Sequence, residues 1–453
     1  MRLFSNFCCV LLICLPVGAV LAQSADELAL KTTRVVRTDS PPSIDGRLDE
    51  LAWSGAAVVE DFHQILPLEY APPSQRTQFF LLYDDEALYI AGRMWDDDPE
   101  LITAKVLRQG GQSWMDDQFA LILDPFNDKR NGYRFIVNPN GVRQEGLVIN
   151  TTQAEWNWEG IWQAAAIQDE EGWAVETRIP FKTLSFDPES DTWGVNFTRT
   201  IMRNNETIGW VSRNQTQNPA ISGVLTGLEE IQQGLGLDVV PSITVNGQRT
   251  FAPYSSDSGS KPSLDIFYKI TPALNAALTL KTDFSATEVD DRQVNLTRFG
   301  LFFPEKRDFF LQDTDIFEFG RLGIRNFRGN FSRPLLENGR PFFSRKIGLS
   351  STGQPVDLDV GGKLSGRIGR WNIGALAVQQ DKFEAVKAAD LFVGRASANV
   401  LQESNVGVII TDGDPRSNLS NSVLGADFHY QNTRLPNGRV IEADIWYQQS
   451  NTE

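Results

Sequence analysis

After about residue 260 the chain becomes a succession of short segments in which apolar and polar residues alternate. They are Ser263–Lys269, Leu274–Asp283, Gly362–Ile368, Trp371–Gln379, Leu391–Val400, Asn405–Thr411, Ser422–Tyr430 and Val440–Gln448. An extended chain turns successive side chains to opposite faces, so each segment reads as a strand with one apolar and one polar face. In Gly362–Arg370, Leu364, Gly366, Ile368 and Arg370 share one parity, and Lys363, Ser365, Arg367 and Gly369 share the other. In the next segment Trp371, Ile373, Ala375, Ala377 and Gln379 fall on one face. Each segment is close to the roughly 9–11 residues a tilted strand needs to cross a bilayer. Apolar-out, polar-in strands in series are the pattern of a transmembrane antiparallel β-barrel. A soluble sheet with one wet face alternates in the same way, so export has to decide between them. Such a barrel closes with an even number of strands. Eight to ten are readable here, and the chain stops at Glu453 directly after one. The expectation is a small barrel, or one that is incomplete in this chain.

The first half reads differently. Thr77–Tyr83, Ala87–Met94, Gln118–Leu123 and Tyr133–Val137 are short strands rich in bulky apolar residues. Turn signals separate them: Asp84-Asp85, Asp96-Asp97-Asp98-Pro99, Asn127-Asp128 and Asn138-Pro139-Asn140-Gly141. Helical periodicity is scarce, and the spacing indicates an antiparallel, jelly-roll-like β-sandwich. About 430 residues after the leader are too many for one typical core. The fold expected is all-β: a sandwich over residues 30–230, then an outer-membrane barrel over 235–453 with a loop or plug inserted around 284–345.

Residues 1–22 read as a signal peptide. Arg2 supplies the positive start, Val10 to Leu15 the apolar core, and Val20-Leu21-Ala22 the small-residue cleavage site before Gln23. All three cysteines, Cys8, Cys9 and Cys14, lie inside it, so the mature chain carries no thiol. An exported protein without disulfides takes its stability from packing, ions or a membrane. That favours the barrel over the soluble sheet. Loss of Arg2 leaves 41 basic residues against 58 acidic, a net charge of −17. This disfavours nucleic acid as a partner and suits neutral sugars or cations. The expected location is the outer membrane, with the sandwich either periplasmic or at the surface.

Nine of the eleven tryptophans lie between Trp53 and Trp210, and Trp156, Trp158 and Trp162 fall within seven residues. A pyranose has an apolar C–H face and a rim of hydroxyls, which suits a flat ring flanked by amide and carboxylate acceptors. Period-2 alternation places Trp156, Trp158 and Trp162 on one face of an extended segment. With Trp114 they form the expected carbohydrate platform, and Asn150, Glu155, Asn157 and Glu159 the hydroxyl partners. The structural alternative is that each ring packs in the core.

The run Pro42-Ser43-Ile44-Asp45-Gly46-Arg47-Leu48-Asp49-Glu50-Leu51-Ala52-Trp53 resembles the opening of family 9 carbohydrate-binding modules. Leu82–Ile90, Asp116–Phe119 and Gly172–Pro180 resemble their later course, in the same order. The resemblance spans residues 40–230 and implies a sandwich that binds the ends of glycans, often with structural calcium. Val294–Phe299 and Leu301–Leu311 resemble the domain of unknown function 5916 family, which pairs such a module with an outer-membrane barrel. Members of that family run longer than this chain. Physically, Leu301–Leu311 breaks its aromatic pairs around Pro304 and a charge triplet, so it reads as a folded loop or inward plug. Asp283, Glu288, Asp290, Asp291 and Arg292 would add a charged lining.

The function expected is therefore capture of an oligo- or polysaccharide at the outer membrane, for uptake or breakdown by partners. A glycoside hydrolase would need two carboxylates about 5–10 Å apart; Asp116 with Asp117, and Glu155 with Glu159, are the pairs available. A haem-binding electron-transfer sandwich would draw on Met94, Met115 and His63. No organic cofactor is expected. Calcium would use oxygen-rich turns, here Asp96, Asp97 and Asp98, and Asp124 with Asp128; solvated turns have the same composition.

Overall fold

The computed structural model describes residues 31–109, 111, 113–149, 151, 153–251, 254–282, 305–322, 339–350, 354–433, 435 and 439–453. The leader, Asn150, Asp283, Glu288, Asp290, Asp291, Arg292 and the Val294–Phe299 motif lie outside the described residues.

Two sheets form the first half. One runs, in spatial order, Thr32–Arg34, Gly223–Thr226, Thr192–Ile201, Gln118–Asp124, Gly132–Val137, Arg143–Ile149 and Gln153–Glu155, with Glu206–Gly209 and His63–Leu66 at its side. The other runs Gln163–Asp169, Gly172–Pro180, Ala87–Trp95, Thr77–Tyr83 and Val36–Arg37, with Ala57–Val59 beside Thr77–Tyr83. Pairing is antiparallel except where Thr32–Arg34 meets Gly223–Thr226 and Val36–Arg37 meets Thr77–Tyr83. Alternate apolar positions face inward. Phe79 and Leu81 meet Phe119, Leu121, Phe135 and Phe197, all fully buried. Burying each such side chain contributes about 1.5–3 kcal/mol. Gly92 is needed here, because a Cβ on it would lie 2.5 Å from the Phe79 ring.

The second half is a nine-stranded meander: Leu237–Phe251, Tyr254–Thr271, Leu274–Thr282, Leu358–Ile368, Trp371–Gln380, Ala389–Val400, Ser404–Asp412, Asn421–Asn432 and Ile441–Thr452. Each strand pairs antiparallel with the next, and among the described residues no pairing joins the first to the last. Of the opening hairpin, only Ser263–Lys269 was visible in the alternation. Its Ser-, Gly- and Asp-rich stretch reads as a loop, and Pro241 and Pro262 discourage a strand. Pro241 is tolerated because its strand lies at the sheet edge. Pro262 lies before Leu264, where pairing with the third strand begins.

The two faces of the meander separate by chemistry as the alternation predicts. Leu364, Trp371, Phe392, Val408, Ile410, Leu424 and Ile445 stand exposed on the outer face. Lys363, Ser365, Arg395, Asp427 and His429 are buried on the inner one. Residues 305–322 and 339–350 pack against that inner face. Phe309, Phe310, Ile316, Phe317, Phe319 and Ile347 form one cluster with Leu358, Leu376, Val378, Val393 and Ile409. The amine of Lys363 donates to the carbonyls of Phe309 and Gln312, each at 2.6 Å. The Arg395 guanidinium forks onto Asp427 at 2.6 and 2.9 Å. Residues 283–304 and 323–338 of the stretch read as a loop or plug lie outside the described residues.

Candidate binding site

The strand Arg143–Ile149 organises the tryptophan-rich edge. It pairs with Gly132–Val137 on one side and with Gln153–Glu155 on the other. Regular structure ends at Glu155: Trp156 and Asn157 form a turn, and residues 158–162 run without strand pairing. The expected period-2 face therefore does not exist, and the three rings part company. Trp156 turns to the face of Gly146, where a Cβ would lie 2.9 Å from its ring. On that face the Arg134 guanidinium lies 5.9 Å from the indole centroid. Trp158 and Trp162 take the opposite face. Trp158 lies 5.0 Å from Tyr133 and 6.2 Å from Phe135, and Trp162 stands edge-on to Phe135 at 4.9 Å.

Exposure ranks them. Trp162 is 2% exposed and is a core residue, Trp158 is partly buried, and Trp156 is 39% exposed. Trp114 is 66% exposed on the loop between Ile102 and Asp117. That loop is tied to the same edge. The Asp116 carboxylate accepts the N–H groups of Lys105 and Val106 at 2.9 Å and the Asn138 amide at 2.8 Å. The Gln109 side-chain oxygen accepts the Arg143 backbone N–H at 2.8 Å. Arg143 in turn donates to the Trp162 carbonyl, with its guanidinium 5.6 Å from that ring.

The polar residues expected around the rings divide as well. Glu155 accepts the Asn157 backbone N–H at 3.1 Å and its side-chain amide at 2.8 Å, so these two bind each other beside Trp156. Burial pushes the Glu155 carboxyl above its ordinary range, against the lowering by Asn157. Glu159 is exposed, and Asn150 falls outside the described residues. Sequence reasoning missed Arg134, Arg143 and Glu145. Glu145 shares the Phe135 side of the sheet. Burial raises its carboxyl, opposed by the Trp162 indole and by Arg143. The available signal was parity, since Arg143, Glu145 and Leu147 alternate straight after the Asn138–Gly141 turn.

Of the carboxylates weighed for hydrolysis, Glu155 is bound by Asn157 and Glu159 is exposed. Asp116 is held by the loop donors named above. Asp117 is buried, with its Oδ1 accepting the Met202 N–H at 2.9 Å, and burial pushes it up to about 6. Of the haem candidates, Met94 is sealed in the core, His63 is hydrogen-bonded to the Ser212 hydroxyl at 2.8 Å, and Met115 is exposed.

The acidic turns do not fit calcium. Burial works to raise the Asp96 carboxyl, but the Arg203 fork at 2.6 and 2.7 Å and the Asp98 N–H outweigh it and hold it low. Arg199 adds a second cation at 3.5 Å. Asp97 accepts from the Gln75 amide, and the Asp98 N–H turns toward Asp96. Asp124 accepts the N–H groups of Asp128 and Lys129, and Asp128 those of Arg130 and Asn131. Among the described residues no group of three or more acidic or histidine side chains converges on a cation position.

Residues 44–226 match the family model described as carbohydrate family 9 binding domain-like, and residues 237–365 match that of domain of unknown function 5916. No curated protein matches the chain. Among solved structures, a family 9 carbohydrate-binding module from Caldicellulosiruptor kristjanssonii in complex with cellotriose is 21% identical, with a TM-score of 0.31 over 43% of this chain and 93% of that one. The glucose complex of a family 9 module from the same organism is 21% identical, with a TM-score of 0.31 over 43% and 95%. A protein from Bacteroides uniformis is 15% identical, with a TM-score of 0.34 over 44% and 99%.

Proposed function

We propose that this chain, a carbohydrate family 9 binding domain-like sandwich followed by a domain of unknown function 5916 region, is a saccharide-binding protein held in the outer membrane by its meander. The saccharide reading rests on the coincidence of the family match with the observed sandwich. Its edge supplies suitable chemistry: the half-exposed Trp156 ring, backed by Gly146 and Arg134, has the Glu155–Asn157 pair at its rim. A ring of this kind takes the C–H face of a sugar, and the rim groups orient its hydroxyls. Trp114 is the second exposed indole tied to the same edge.

The membrane reading rests on the outer face of the meander. From Val360 through Tyr430 its central outward positions are aliphatic, aromatic or glycine, and charge appears only at the rim, in Asp390 and Asp412. An uncharged apolar band outside a polar, plugged interior is what hydrocarbon demands of strands. The Arg2–Ala22 leader supports export.

Oligosaccharide titration of the full chain in detergent tests the first reading. Binding of micromolar or weaker affinity is expected, and its loss in Trp156→Ala without loss of fold supports the site. Absence of binding across a broad glycan array refutes the saccharide reading. Fractionation of the chain with soluble periplasmic protein refutes the membrane reading.

A further inference from the structure

The two ends of the meander differ, and the sandwich touches only one of them among the contacts described. At that end the connections are Pro272-Ala273, Gly369-Arg370, 401–403 and 433–440. At the other end they are 283–357, 381–388 and 413–420. The opening hairpin also rises there, because Tyr254–Ser263 continues past the last residue that pairs with the third strand.

The sandwich meets the meander at or beside each of the four connections of the short end. The Phe186 N–H donates to the Pro272 carbonyl at 3.1 Å. Phe126 lies under the Arg367 guanidinium, 4.8 Å away, just before Gly369. Arg130 donates to the Ser404 carbonyl at 2.6 Å. Arg213 donates to the Leu435 carbonyl at 3.1 Å. Three of these contacts end on backbone carbonyls of the meander, held by two arginines and a backbone amide of the sandwich, and Arg130 is itself buried. Outer-membrane barrels place short turns in the periplasm and long loops outside. The first strand also leaves the sandwich at the short end, since Leu237 pairs with Tyr268 close to the Pro272 turn.

We propose that the sandwich is docked against the periplasmic mouth of the meander, so that the saccharide it binds is one encountered inside the outer membrane rather than at the cell surface. The proposal rests on the membrane reading above and deepens it: residues 381–388 and 413–420 face outward, and the Trp156 edge faces the periplasm. A saccharide reaching this edge has already crossed the outer membrane or is part of the periplasmic glycan pool.

The mature chain lacks cysteine, which makes single-thiol mapping direct. Leu419→Cys, exposed in the 413–420 loop, and Leu51→Cys, exposed on the sandwich, serve as reporters. Each is expressed as the full chain in a Gram-negative host and treated with a membrane-impermeant maleimide. In intact cells Leu419→Cys is expected to label, and Leu51→Cys to label only after the outer membrane is permeabilised. Labelling of Leu51→Cys in intact cells, or protection of Leu419→Cys in a membrane-bound chain, overturns the orientation. Recovery of both variants in the soluble periplasm overturns the membrane reading instead.

Discussion

The indole N–H of Trp53 donates to the Glu176 carboxylate at 2.7 Å, across 123 residues of sequence. The other Glu176 oxygen accepts the N–H groups of Asp45 and Gly46 at 2.9 and 2.8 Å. One buried carboxylate thus pins the whole Ile44–Trp53 segment to the outside of the second sheet, where Trp53 packs with Leu82, Ala87 and Tyr89. Gly46, at φ +90°, lies 3.0 Å from the Ala166 backbone by its would-be Cβ, so no side chain fits there. This explains why two distant motifs, Pro42–Trp53 and Gly172–Pro180, occur in one chain: each is half of one joint.

Glu176→Gln is expected to lower stability by about 1–3 kcal/mol, because an amide NH₂ would oppose the donor groups that the carboxylate now accepts. Denaturant melts followed by tryptophan fluorescence test this. A variant as stable as the parent means that the joint is not structural.

Stability should also fall as pH rises through neutrality. Burial pushes Glu176 up to about 7 and Asp117 up to about 6, and it raises Asp124, beside Asp128, as well. Raised carboxyl groups bind protons more tightly in the folded state. Their stabilisation is complete below about pH 4 and is lost as pH rises through the folded values. Asp96, held low by Arg203, opposes this only in acid, where its ion pair is lost. The melting temperature of the sandwich is therefore expected to decline from about pH 5 to about pH 8. A flat or rising profile over that range contradicts the assignment.

Asp96 provides a test against calcium. Asp96→Ala would remove the carboxylate that Arg203 and the fully buried Arg199 both pair with. Removing one partner of a buried pair costs about 3–5 kcal/mol. With the carboxylates of Asp96, Asp97, Asp124 and Asp128 engaged by protein donors, a chelator should leave the melting curve of the parent unchanged. A chelator-dependent drop would show that a cation stabilises the fold after all.

Alternation made the meander legible, down to which side chains of Trp371–Gln380 point outward, because one face has to be apolar and the other polar. It failed in two places for opposite reasons. The strand Leu237–Phe251 and the start of the next, before Ser263, lie at or beyond the sheet edge, where prolines and a polar tract cost little, so they carry no strand signal. At Trp156–Trp162 the residues alternate but the backbone turns, which separates Trp156 from Trp162 by a whole sheet. The partners of Asp96 arrive from more than 100 residues away. Local composition therefore suggested an ion site where folding supplies arginines.

That separation of the rings makes two substitutions in one cluster diverge. Trp162 is sealed against Phe135, and Trp162→Ala is expected to cost about 3–5 kcal/mol through lost burial and the cavity left behind. Trp156 is largely accessible on one side, so Trp156→Ala should change stability by about 1 kcal/mol or less. Its effect should instead fall on saccharide affinity, by tenfold or more, since a stacked ring and its desolvation are lost together. Thermal melts and oligosaccharide titration of both variants separate the roles. Two variants equally destabilised would make Trp156 a packing residue. A folded Trp156→Ala that binds as tightly as the parent would move the sugar to another surface, with Trp114 and its loop the next to be tested.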